Sequence, residues 1–210
     1  MRYLGDLGVK LDEPVLLAIL TDISAPTMGE MTRSGFVEGW KSHQLVPLLT
    51  PPPILSQPPH FNLSQPRYAL QLLIHFSAND LTAQKLIVRA HRTALSQASS
   101  DLFRRTYKHT FRLALPTGQK SLPLDNATEY WRLILSPPAL TWHSPPTAAV
   151  PQASPWLDWW LDYLETNWKK GVSKDMWEQM GKFVLKTMEP GGEAMGWWSE
   201  EGAWPGVIDG

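Results

Sequence analysis

At 210 residues, 43% apolar and 19% charged, the chain has an ordinary globular composition, enough for one sizeable core or two small ones. A formal charge of −1 argues against a nucleic-acid binder, which needs a clear excess of Lys and Arg. Zero Cys excludes a disulfide framework, a Cys-ligated zinc and a thiol nucleophile in these residues. The longest apolar runs fall far short of the ~20 residues of a membrane span. Met1 to Asp6 holds no apolar signal-peptide core.

Proline divides the chain. Seven of the 19 prolines lie between Pro47 and Pro66 and six between Pro137 and Pro155. Both stretches are also rich in Ser, Thr, Gln and Ala, and read as surface loops separating three helical blocks. The expected organisation is a single helical domain over 1–210, with proline-rich insertions at about 44–66 and 137–155.

In the first block, Asp12 fits an N-cap, with Pro14 in the first turn of a helix. Leu16, Ile19, Leu20 and Ile23 follow at i, i+3, i+4, i+7, an apolar face. Thr32 caps a second helix through Phe36, Val37 and Trp40. The pair has an EF-hand layout, but Thr27-Met28-Gly29-Glu30-Met31 offers one carboxylate, so no calcium is expected there. In the middle block Asn79-Asp80 starts a helix carrying Leu81, Leu86, Ile87 and Ala90. Phe103, Tyr107 and Phe111 share one face of the next helix, whose Arg104, Arg105, Lys108 and Arg112 read as a solvated basic face. Asn126 and Glu129 have capping-box spacing before Tyr130-Trp131. In the third block Ser154-Pro155 opens a helix with Trp156, Trp160, Leu164 and Trp168 four apart. Lys169-Lys170-Gly171 closes it. Ser173 caps a last helix through Trp177, Met180, Val184 and Met188, ending at Pro190-Gly191-Gly192. Short strand candidates lie only near Tyr68 to Phe76, so the fold class is all-α.

No conventional catalytic set is visible. The six His residues (43, 60, 75, 91, 109, 143) are scattered without an i, i+4 pair, and His91 reads as lying on a helix exterior. There is no phosphate loop and no Gly-x-Ser-x-Gly elbow. The expectation is no metal, no cofactor and no catalytic residue.

Glu200-Glu201-Gly202-Ala203-Trp204-Pro205 followed by Val207-Ile208-Asp209 resembles the signature of the defective-in-cullin-neddylation family, in its potentiating-neddylation domain. Other strings agree in order: Thr27 to Thr32 with Phe36 to Ser42, Gly118 to Leu122 leading to Tyr130-Trp131-Arg132-Leu133, Leu157 to Trp160, and Ser173 to Trp177. The resemblance covers most of the chain outside the proline-rich loops. It implies an all-α domain with degenerate EF-hand-like units, acting as a scaffold-type ligase component in the cytoplasm and nucleus. Its implied partners are the C-terminal winged-helix region of a cullin and an N-terminally acetylated neddylation conjugating enzyme, with no nucleic acid and no membrane. The cullin patch of the family maps onto Asp175, Ala203 and Asp209. Its pocket for the acetylated methionine maps onto Leu16, Ile19, Leu20, Ile23, Met28, Met31, Leu113 and Leu133. Read without the resemblance, Asp175 is a first-turn carboxylate favoured by the helix dipole, and the apolar set is ordinary core. The rival reading is a helical peptide-binding adaptor with no role in modifier transfer. A hydrolase would further require a His paired with an acid in a cleft.

Overall fold

The computed structural model describes residues 2–43, 80–144 and 153–199. Eight helices carry the described chain: α1 Arg2–Leu7, α2 Pro14–Asp22, α3 Arg33–Ser42, α4 Leu81–Leu95, α5 Asp101–Ala114, α6 Leu124–Ile134, α7 Trp156–Asn167 and α8 Lys174–Thr187. A 3₁₀ turn, Gly192–Ala194, follows α8. The fold is all-α, as the apolar spacing predicts, with one addition. Ser121–Leu122 (β1) pairs antiparallel with Val172–Ser173 (β2), in the register Ser121 to Ser173 and Leu122 to Val172. Each two-residue strand runs into a helix, so the pairing pins the starts of α6 and α8 together. Leu122 and Val172 are fully buried beneath it. Strands of two residues are too short to show alternation in a sequence. The strand candidates near Tyr68 to Phe76 lie outside the described residues.

Helix caps show where local chemistry decides. The side chains of Thr32, Asp80 and Ser173 accept from the backbone N–H of Gly35, Thr82 and Met176, starting α3, α4 and α8, and Ser100 does the same for α5. Three expected starts differ. Helix α2 is preceded by Glu13 rather than Asp12, with no side-chain cap. Asn126 and Glu129 lie inside α6, which begins two residues earlier behind Pro123, because β1 sets that start. Pro155 itself precedes α7, which has no side-chain cap, and Ser154 meets it through its carbonyl, which accepts from the Trp156 N–H at 2.9 Å.

Burial follows tertiary contacts more than hydrophobicity. Leu81 and Leu86 are exposed, and α4 instead buries Ala83, Gln84, Ile87, Val88, His91 and Leu95. Two of these are polar because each has a partner: Gln84 Oε1 accepts from Tyr3 Oη at 2.8 Å, and His91 reaches Asp22. In the second proline-rich stretch Ala139, Leu140 and Trp142 are buried, and Trp142 Nε1 donates to Thr187 Oγ1 at 2.9 Å. That part is core wall, not surface loop.

The core centres on three aromatics from α5, α6 and α8. Trp131 stacks on Trp177 at 5.1 Å and 10°, and Tyr107 on the same indole at 4.9 Å and 22°. Trp131 Nε1 donates to Tyr107 Oη, Tyr107 Oη donates to the Trp177 carbonyl, and Trp177 Nε1 donates to the Tyr107 carbonyl, at 2.9, 3.0 and 2.9 Å. Burial pushes the Tyr107 phenol far above its usual range, against the opposing hydrogen bond from Trp131. Gly181 makes the approach possible, since a Cβ there would lie 2.4 Å from Tyr107 Cε1. Alanine is the better helix former by ~1 kcal/mol, but overpacking a filled core costs about 1–3 kcal/mol. Gly181→Ala is therefore expected to lower the urea midpoint. An unchanged or raised midpoint contradicts the close packing.

Candidate functional site

Ser173 turns the chain from β2 into α8, and its side chain caps the helix, which leaves Asp175 exposed in the first turn. Asp125 occupies the equivalent first-turn position of α6 and is also exposed. Ala203 and Asp209 lie outside the described residues, so of the expected patch the structure places Asp175. Its neighbour Lys174 lines a groove with Arg105, Lys108, His109 and Arg112 of α5, together with Phe111, Leu115, Thr21 and Ser24; its volume is about 580 Å³. Glu178 lies 3.9 Å from both Lys108 and Lys174. What reads in sequence as a solvated basic face is thus gathered into a cationic groove. The i, i+3, i+7 spacing of Arg105, Lys108 and Arg112 was visible; the addition of Lys174 required the packing of α5 on α8.

The eight apolar residues separate into two groups. Leu16, Ile19, Leu20 and Ile23 on and after α2, and Leu113 on α5, are buried in the core, and half-buried Leu133 packs against it. Met28 and Met31, on the loop between α2 and α3, are 38% and 55% exposed. None of the eight lines the cationic groove or a second cavity of about 190 Å³ walled by Glu13, Pro14, Val15, Arg92, Leu95, Pro138 and Ala139. The packing reason is that α2 is buried from Pro14 through Leu20, held between α4 and α5.

A polar cluster sits at the end of α2. Asp22 Oδ2 is 2.8 Å from His43 Nε2 and 2.5 Å from His91 Nε2, while Arg105 Nη1 donates to Oδ1 at 3.3 Å. Burial alone would raise the carboxyl pKa. The hydrogen bonds and positive charge of the two imidazoles overcome this and hold it well below the usual carboxylate range. His91 is therefore not on a helix exterior, and the histidines are not all scattered. Residues 22, 43 and 91 are too far apart in sequence for spacing to reveal them.

His109 stands between the groove and α2, with Nδ1 3.2 Å from Thr21 Oγ1. Burial, then the nearby Arg112, lowers its pKa, partly offset by a hydrogen bond to the Ala25 backbone. The folded chain therefore binds this proton less readily than the unfolded chain does. Its contribution to stability is present above the unfolded value of ~6.5 and declines as the pH falls below it. Denaturant midpoints measured from pH 7.5 to 5 are expected to fall less steeply for His109→Gln than for the parent. Parallel profiles would contradict the assignment.

A sequence profile described as "Cullin binding" matches residues 83–210. The protein of Pyricularia oryzae named Defective in cullin neddylation protein 1 is 32% identical over 215 residues, covering 100% of this chain and 63% of its own length. Its namesake in Yarrowia lipolytica is 28% identical over 210 residues, covering 100% of this chain and 66% of its own. Defective in cullin neddylation protein AAR3 of Arabidopsis thaliana is 27% identical over 103 residues, 49% of this chain and 28% of its own. The chain thus spans just under two thirds of the two fungal relatives.

Proposed function

The chain belongs to the cullin-binding family, and from that premise we propose that it promotes cullin neddylation as a non-covalent scaffold. The observation that carries this reading is the match of the cullin-binding profile to 83–210, together with whole-chain similarity to fungal proteins named for a defect in cullin neddylation. The 210 residues contain no Cys, so they form no thioester, and their contribution to transfer is positional. Holding an acceptor lysine against a charged conjugating enzyme lowers the barrier by at most about 7–11 kcal/mol. Such a scaffold works where cullins are modified, in the cytoplasm and nucleus.

The cullin's C-terminal winged-helix region docks on Asp175, Ala203 and Asp209. Two carboxylates flanking a small side chain suit close approach by a basic surface. Asp175 supports this reading because it is exposed and its helix is already capped by Ser173, so its carboxylate is not needed as the cap. In a pulse-chase assay with a charged conjugating enzyme, Asp175→Ala with Ala203→Arg is expected to reduce cullin modification to the unassisted rate while the far-UV circular dichroism is unchanged. Full stimulation by the folded double variant rejects the patch. Failure of a purified cullin C-terminal fragment to bind the parent chain favours the adaptor reading instead.

The conjugating enzyme's acetylated N-terminal methionine docks beside Met28 and Met31. Their exposure and flexible thioether side chains support a rim of this kind. Depth beneath the rim requires side chains of the α2 apolar face, Leu16, Ile19, Leu20 and Ile23, to part together with Leu113 and Leu133. A free α-amino group, pKa ~8, would carry its charge into that apolar ground at several kcal/mol of desolvation. Burial of the methionine side chain contributes ~1.5–3 kcal/mol. Fluorescence anisotropy is expected to show the acetylated peptide binding at least tenfold more tightly than the free one, with Met31→Asp weakening it. Equal affinities overturn the pocket.

A further inference from the structure

We propose that Asp22, His43 and His91 form a binding site for one divalent transition ion of the zinc class. Three elements converge to build it: Asp22 ends α2, His43 follows the last turn of α3, and His91 lies in the third turn of α4. One carboxylate oxygen and two imidazole nitrogens lie within 4.8 Å of one another, the one such group of three found among the described residues. Both rings present Nε2 to the same oxygen, Oδ2, at 2.8 and 2.5 Å. Zinc bonds to His nitrogen and carboxylate oxygen are ~2.0–2.2 Å, which places neighbouring tetrahedral ligands about 3.3 Å apart. The two His–Asp separations therefore need to open by less than about 1 Å to admit the ion, with the two ring nitrogens, within 4.8 Å of each other, turning onto it. Each ring binds through an Nε2 free of its proton and carries one on Nδ1, so the Nε2 protons now shared with Oδ2 leave to solvent as the ion enters.

The donor set selects the ion. Two nitrogens and one oxygen suit zinc, cobalt, nickel or copper, whereas calcium takes 6–8 oxygens and magnesium near-octahedral oxygen ligation. Arg105 holds the other carboxylate oxygen at 3.3 Å, so it turns Oδ2 toward the rings as an outer hydrogen-bonding partner. The guanidinium charge opposes a dication, but this side chain is half exposed and also bonded to Asp101 at 2.9 Å. Access comes beside His43, whose side chain is 20% exposed against 9% for His91 and 6% for Asp22. Water supplies the fourth ligand from that side. An ion here fastens α2, α3 and α4 at one point and stabilises the fold by mass action.

The test uses the full 210-residue chain, stripped with chelator and titrated with Zn²⁺ against a chromophoric competitor, and with Co²⁺ by visible absorption. One equivalent of Zn²⁺ is expected with a micromolar or lower Kd, with Co²⁺ d–d bands of a low-coordinate site and a raised Tm. His43→Ala, at a helix end and partly exposed, is expected to fold and to bind at least tenfold more weakly. His143→Ala, a histidine outside the cluster, is expected to bind as the parent does. Absence of a bound equivalent in the parent, or equal affinity in parent and folded His43→Ala, shows a hydrogen-bonded hub only and overturns the proposal. Neither result depends on cullin binding.

Discussion

The interlock of Tyr107, Trp131 and Trp177 is the constraint on which the remaining geometry rests. Two successive helices, α5 and α6, meet the distant α8 there with two stacked ring pairs and three mutual hydrogen bonds. Aromatic pairs contribute ~0.5–1.5 kcal/mol beyond their buried area. The larger point is that each buried polar atom is satisfied by another member of the set, so removing one member leaves partners unpaired. The absence of a Cβ at Gly181 lets α8 come close enough for this. Once α8 is fixed against α5, the rest of its surface is decided: Lys174 joins the basic residues of α5, and Asp175 is left facing solvent.

A second junction ties α2 into the same framework. The helix carries apolar residues on nearly all sides and is buried over Pro14 to Leu20, which makes it central and short of polar anchors. Its anchors come at its ends. Glu13 accepts from Arg92 at 2.7 Å at the start, and Asp22 gathers His43, His91 and Arg105 at the finish. Buried charge persists when paired and hydrogen-bonded, and Asp22 meets that condition through three neighbours. The same arrangement that neutralises a buried carboxylate is what brings ligand-type atoms together.

The electrostatics of the described surface are mixed around the first turn of α8. A carboxylate and an ammonium occupy consecutive positions, Lys174 and Asp175, and the cationic groove opens on the lysine side. A partner docking here is oriented by charge as much as held by it, since complementary charge chiefly controls encounter and register.

The all-α class, the capping of helices by Thr32, Asp80 and Ser173, and the buried face of Phe103, Tyr107 and Phe111 were legible in the residues, because caps and 3.6-residue periodicity act over one or two turns. The family was legible too, through short strings in a fixed order. The face of α4, the inward position of His91, the two-residue sheet and the burial of Trp142 were not, because each depends on a partner tens of residues away. The apolar set around α2 shows the boundary well: periodicity identifies residues that leave water, and cannot distinguish a core from the wall of a pocket. That distinction belongs to packing, which alone determines whether an apolar side chain meets its own chain or is left for another's.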